Sequence, residues 1–259
     1  MTSDLTNIVW TDPDVRYDRR ESCRAHSAGS DIDRLIELAE PRKKDRALDL
    51  VTGLGYVALA LSPHVESVDA IDPDEEVLME AGAAAQNAGV GNINFLVGDP
   101  GSIPAEAGKY DLVAARMAMR HTADPSKCLR EIHRVLKPGG RVVLIDSLKP
   151  MQAELAGFLE SLEKQRDRSH VRSYDLEEWE AVLDREGFDI DLMELLPREY
   201  DFETWAKKSS GDGDSVRMLA FMLHSASPRA KHHFRIVEKD GKPVSFVTWT
   251  IIIRACPSP

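Results

Sequence analysis

Apolar positions along this chain follow two rhythms that exchange places several times. Ile32, Leu35, Ile36 and Ala39 fall at i, i+3, i+4 and i+7, one face of a helix, with Ser30 a suitable N-cap and Pro41 just past its end. Residues 47–51 form a short apolar run followed by glycine, the pattern of a buried strand. A helix over 56–61 stopped by Pro63 and a strand over 68–71 come next. Pro73 then opens a helix at its first position, with Val77, Leu78, Ala81 and Ala85 on one face. Further strands are predicted at 93–97, 110–115 and 141–145. The last two flank a helix lined by Leu129, Ile132, Val135 and Leu136 that stops at Lys137-Pro138-Gly139-Gly140. Strands alternating with helices predict βαβ units and a mainly parallel sheet covered on both faces, an α/β fold.

The last third changes character. Residues 150–166 read as a helix, and Leu176, Trp179, Val182 and Leu183 line another that Gly187 closes. A strand is expected over 188–196, helices over 201–208 and 216–225, and a loop over 209–214. Two β-rich runs, 234–238 and 244–253, flank Asp240-Gly241, a strong hairpin turn signal. Five parallel strands therefore precede an antiparallel tail, and residues 197–232 form an insertion suited to a lid.

A chain of 259 residues with this pattern fits one α/β domain with additions. Lys and Arg number 33 against 44 Asp and Glu, a net charge of −11 that argues against nucleic acid as a partner. No apolar run approaches the ~20 residues of a membrane span, and residues 1–10 lack the basic and apolar regions of a secretory signal. Cys23, Cys128 and Cys256 are spaced neither as a disulfide framework nor as a metal site. These features predict a reduced, cytoplasmic protein with no metal.

The sharpest local feature is Asp49-Leu50-Val51-Thr52-Gly53-Leu54-Gly55-Tyr56, where a strand ends in a glycine-rich turn and a helix begins. Glycine there lets a ligand approach the backbone. Asp72 ends the second strand, placed to accept from the ribose hydroxyls of an adenosine. Asp99 ends the third, placed to accept from an adenine amino group. Asp49 has a plainer role available, bracing the loop from behind. Gly53-x-Gly55-x-x-Ala58 also satisfies a dinucleotide-binding pattern, so an NAD(P)-dependent oxidoreductase is a rival, separated by the antiparallel tail.

Five segments then match one family: Ala47-Leu48-Asp49-Leu50-Val51-Thr52-Gly53-Leu54-Gly55, Ala70-Ile71-Asp72-Pro73, Val97-Gly98-Asp99, Tyr110-Asp111-Leu112-Val113, and the run from Leu129 to Arg141 with its Leu-Lys-Pro-Gly-Gly turn. The chain resembles the class I S-adenosylmethionine-dependent methyltransferases, in the branch of the ubiquinone/menaquinone biosynthesis enzymes, clearly over about residues 25–150. The resemblance implies a Rossmann-like seven-stranded, mainly parallel sheet with an antiparallel C-terminal hairpin and helices on both faces. It implies a segment over residues 1–30 that covers the cofactor site, then one domain over 31–259 with substrate-pocket additions at 150–170 and 197–232.

The implied cofactor is S-adenosyl-L-methionine. Thr52, Gly53 and Gly55 would line its methionine part and Asp72 would hold the ribose, with Pro73 beside it. Asp99 and Pro100 would flank the adenine, Arg116 and Met117 would sit near the sulfonium, and Tyr17 and His26 would fold over from the N-terminal segment. The chain departs from the family where Val51 replaces a usual Gly or Ala and Leu54 a smaller residue. A β-branched residue at position 51 takes room beside the cofactor, which keeps open an atypical reaction or ligand binding alone.

Methyl transfer needs alignment and, for a neutral acidic acceptor, a base. His121, after the fourth strand, and Asp146, ending the fifth, are the candidate catalytic residues. His170 and the His232-His233 pair read as surface or pocket-wall residues. The expected acceptor is a small, uncharged, aromatic or quinone-like molecule methylated at carbon or oxygen. A homodimer is the expected assembly.

Overall fold

The computed structural model describes residues 8–10, 30–210 and 213–258. Its strands are β1 (Ile8–Trp10), β2 (Arg46–Leu50), β3 (Ser67–Asp72), β4 (Ile93–Val97), β5 (Tyr110–Arg116), β6 (Leu136–Leu148), β7 (Phe188–Asp201), β8 (Val237–Lys239) and β9 (Lys242–Pro257). The helices are α1 (Ser30–Ala39), α2 (Tyr56–Leu61), α3 (Glu75–Asn87), α4 (Pro125–Val135), α5 (Ala153–Arg166), α6 (Leu176–Arg185), α7 (Phe202–Ser210), α8 (Gly213–His224) and α9 (Pro228–His233).

The strands form one sheet in the order β1-β7-β9-β6-β5-β2-β3-β4, with β8 paired to β9. Strands β2 to β6 pair in parallel, while β9 runs antiparallel to both β6 and β7. The seven-stranded sheet with its antiparallel closing strands is therefore present. Two short strands extend it: β1, parallel to β7, and β8, folded back on β9. Asp240 and Gly241 take positive φ, 51° and 72°, which supplies the tight turn between β8 and β9.

Side chains alternate across the central strands. Val113, Val142 and Leu144 pack with Leu129 and Ile132 of α4 and Trp179 and Leu183 of α6. Leu112, Ala114, Val143 and Ile145 pack on the other face with Ile32 and Leu35 of α1 and Val57 and Leu61 of α2. Beyond this body, Phe202, Trp205, Leu219, Leu223 and Phe246 form a separate cluster with Leu162 of α5, so α5, α7 and α8 cap the far ends of β7 and β9.

Several boundaries differ from the sequence expectation. Pro73 lies one residue before the N-cap of α3, which is Asp74, whose carboxylate accepts from Glu76 N and Val77 N. Strand β7 runs on to Asp201 because its ladder with β9 continues as far as Asp201 opposite Ser245. The 197–232 stretch thus begins inside the sheet. Phe234 is not in a strand; it caps α9 and packs with Leu155 and Leu159 of α5.

Arg141 ties α1 to the sheet. Its guanidinium, buried on β6, donates to the carbonyls of Ala39 and Glu40, the otherwise open end of α1, and to Asp45 at 2.9 Å. Removing one partner of a buried pair leaves the other uncompensated, at a cost of about 3–5 kcal/mol. Arg141→Met is therefore expected to lower the unfolding free energy by about that amount in urea titration. A loss under about 1 kcal/mol, the worth of an exposed pair, would contradict this role.

Candidate functional site

The loop between β2 and α2 is held by two carboxylates. Asp49, only 1% exposed, accepts through Oδ2 from Thr52 Oγ1 at 2.5 Å and Ala58 N at 2.9 Å. Asp72, at the end of the neighbouring β3, accepts from Gly53 N at 2.9 Å and Asp74 N at 3.0 Å, one on each oxygen. Thr52 N donates to Ile71 O, so the loop also leans on the β3 backbone. Gly53 and Gly55 have φ of 54° and 78°. A Cβ on Gly55 would stand 3.2 Å from Ala81, whereas one on Gly53 would meet nothing within 4 Å, so the backbone there is open to approach.

Val51 also has positive φ, 59°. A β-branched residue in this region is a genuine outlier, costing about 1–2 kcal/mol. The fold imposes here the conformation a glycine would take freely, and keeps a valine in it.

A cavity of about 370 Å³ opens at the carboxyl ends of the central strands. Its wall takes Val51 from the end of β2, Pro73 from β3, Asp99 and Pro100 from β4, and Ala118 and His121 from β5. Ligands of open α/β sheets bind at this edge. Asp99 Oδ1 accepts from Gly101 N at 2.7 Å. Gly98 has no room for a side chain, since a Cβ would come within 3 Å of Pro104 and Ile71.

Of the expected residues, Pro73, Asp99, Pro100 and His121 line this cavity, with Asp72 and Gly53 joined beside it by their hydrogen bond. Thr52 is buried and spends its hydroxyl on Asp49. Arg116 and Met117 are not part of this wall. Arg116 pairs with Asp31 at 2.7 Å, and Met117, at φ 56°, packs with the cluster on the α1–α2 face. Tyr17 and His26 lie outside the described residues. Sequence reasoning did not place Gly101, Ala118, Thr122, Ala123, Asp124, Lys127 or Cys128 at the site; these complete the wall. Asp124-Pro125, the N-cap and first turn of α4, was the available signal, because it fixes where that helix begins.

The two expected bases are both already engaged. Asp146, 2% exposed, accepts from Met119 N and Arg120 N on Oδ2 and from Ser147 N on Oδ1. Burial pushes its pKa up, yet it is absent from the cavity wall. Its hydrogen bonds hold the 3-10 turn Met119–His121 against β6. His121 does reach the cavity, but Arg120 Nε donates to its Nε2 at 3.2 Å. A guanidinium only donates, so Nε2 carries the lone pair and Nδ1–H serves Ser169, whose carbonyl lies at 3.2 Å. Burial first, then the Arg120 charge, holds the His121 pKa below its ordinary value. The lone-pair nitrogen of the imidazole is thus engaged by Arg120.

This geometry has counterparts among known proteins. A family model described as "Methyltransferase domain" matches residues 48–144. The uncharacterized methyltransferase YcgJ of Bacillus subtilis is 34% identical over 234 residues, covering 89% of this chain and 92% of that relative. The crystal structure of YcgJ superposes with a TM-score of 0.82 at 32% identity, covering 88% of this chain and 98% of that one. A demethylmenaquinone methyltransferase of Thermus thermophilus is 34% identical over 140 residues, which is 52% of this chain and 62% of the relative.

Burial raises the Asp49 pKa to about 6, against about 3.9 for an unfolded aspartate. The folded chain therefore holds this proton more tightly, a contribution present below pH ~4 and lost as pH rises through about 6. The loss is on the order of 2–3 kcal/mol, roughly 4–10 °C in melting temperature. Between pH 4 and pH 7 the unaltered protein should fall by about that much relative to Asp49→Asn, followed by calorimetry. A constant difference between the two across that range would contradict the assignment.

Proposed function

The chain belongs to the class I S-adenosylmethionine-dependent methyltransferases, and from that membership we propose that it moves a methyl group from S-adenosyl-L-methionine to a small organic acceptor. One observation carries the reading: Val51, Pro73 and Asp99-Pro100 line one cavity from the ends of three adjacent parallel strands, and Asp72 holds Gly53 of the glycine loop beside it.

The residues present fit an adenosine. Each Asp72 oxygen accepts one backbone N–H, and a carboxylate oxygen has two lone pairs, so one on each remains for the ribose hydroxyls. Asp99 keeps Oδ2 for an adenine amino group, with Pro73 and Pro100 as apolar flanks. Gly53 leaves the backbone open toward the methionine part, Thr52 contributing through its main chain. Arg116 and Met117 belong near the sulfonium by their place at the end of β5, and Tyr17 and His26 belong to the covering segment.

When bound, the cofactor supplies an activated methyl on sulfonium. What the chain supplies is alignment, which accounts for much of the barrier in such a displacement. His121 orients the acceptor rather than taking its proton, because Arg120 holds the nitrogen that would do so. The acceptor is a small aromatic or quinone-like molecule methylated at carbon or oxygen, in keeping with the partial likeness to the demethylmenaquinone enzyme. The setting is cytoplasmic.

Val51 favours a second reading, an altered cofactor pose serving a different reaction or binding alone. Calorimetry with S-adenosylhomocysteine separates these outcomes. The unaltered chain should bind, and Asp72→Ala should bind at least tenfold more weakly, since a ribose contact is lost together with the tie from β3 to the loop. Val51→Gly should bind several-fold more tightly if the valine only crowds a standard pose, and no better if the altered pose is the working one. No binding by the unaltered chain at millimolar concentration would overturn the proposal.

A further inference from the structure

A second cavity, about 880 Å³, lies where the end of β6 and the middles of β7 and β9 meet α6 and α9. Its size is that of a site for a drug-sized molecule. Leu148, Leu176, Leu195 and Trp249 give it an apolar floor. These four belong to the same core cluster as Val51, so the cavity opens on the sheet face that also carries the cofactor cavity. Leu148 stands two positions beyond Asp146, which anchors the His121 turn.

The polar part of this wall has one sign. Lys149, Lys231, His232, His233 and Arg235 line it, and no Asp or Glu does. That is a marked local reversal in a chain whose net charge is −11. The acids that answer these cations stand outside the wall: Glu178 is 2.7 Å from Lys149 Nζ, and Glu238 is 3.1 Å from Lys231 Nζ. An ammonium has three donors, so neither partner exhausts its lysine. His233 adds a buried Nε2 with no hydrogen-bond partner among the described residues. Burial first, then the neighbours His232 and Arg229, hold its pKa below the ordinary value.

From this arrangement we infer that the second cavity takes an amphipathic organic anion, an aromatic or acyl body bearing a carboxylate or phosphate, and that this anion is the methyl acceptor. The apolar floor takes the body and the cationic wall takes the charged group. The last clause rests on the methyltransferase reading; the binding chemistry does not. The acceptor is thereby charged, where net charge alone pointed to an uncharged one. A divalent cation finds no carboxylate in this wall, and a neutral apolar ligand makes no use of its basic side chains.

The test uses the full chain, with and without S-adenosylhomocysteine, and three calorimetric probes: 2-naphthoate, its methyl ester and 2-naphthyl phosphate. At least one anion should bind tenfold or more tightly than the ester, and whichever of the two is preferred identifies the charged group. Lys231→Met should remove most of that preference without weakening the ester, and Lys231→Arg should restore it. An ester that binds as well as both anions overturns the inference on the unaltered protein, whether or not the variant folds. Loss of S-adenosylhomocysteine binding alone instead overturns the methyltransferase reading, and the anion-to-ester ratio still decides the cavity's chemistry.

Discussion

The loop after β2 is fixed by two carboxylates at the ends of adjacent strands, and the geometry of the cofactor cavity follows from that constraint. Asp49 reaches back under the loop to Thr52 and Ala58, while Asp72 reaches across from β3 to Gly53. Each bond ties a residue of the turn to a strand end that the parallel sheet has already placed. A glycine-rich turn would otherwise be the most mobile part of the βα unit, since glycine has the most conformational freedom to lose. The same constraint explains how Val51 is kept at positive φ: the loop is over-determined from both sides, and the local cost of about 1–2 kcal/mol is borne by the rest.

The transfer side of the cavity is built by a second relay of the same kind. Asp146 at the end of β6 receives Met119 N and Arg120 N, which sets the turn carrying His121. Arg120 in turn meets buried Glu163 of α5 at 3.6 Å and donates to His121. The covering helix α5 and the imidazole are thus joined through one guanidinium. Here buried charge positions groups, and the chemistry depends on what they align.

Periodicity made the βαβ order legible because each element alternates on its own scale, and the loop was legible because glycines and acids stand at fixed offsets. What escaped were features set by partners distant in sequence. The extension of β7 to Asp201 depends on β9, and the place of Phe234 depends on α5. Asp146 looked like a base because a strand end is where bases sit; that both its oxygens are taken is a fact of the turn folding back on it. The departure at Val51 was visible as a residue type, but its φ was not. The cationic cavity is drawn from residues 148–152, 176, 195, 231–233, 235–237 and 249, too scattered to form a motif.

The central claim is that Asp72 and Asp99 are adenosine ligands held ready by the loop that Asp49 braces. A crystal structure with S-adenosylhomocysteine tests it most directly. The account predicts both ribose hydroxyls at ~2.7 Å from the Asp72 carboxylate, which still accepts from Gly53 N, and the adenine between Pro73 and Pro100. An adenosine bound elsewhere, or a ribose that makes no contact with Asp72, would contradict it.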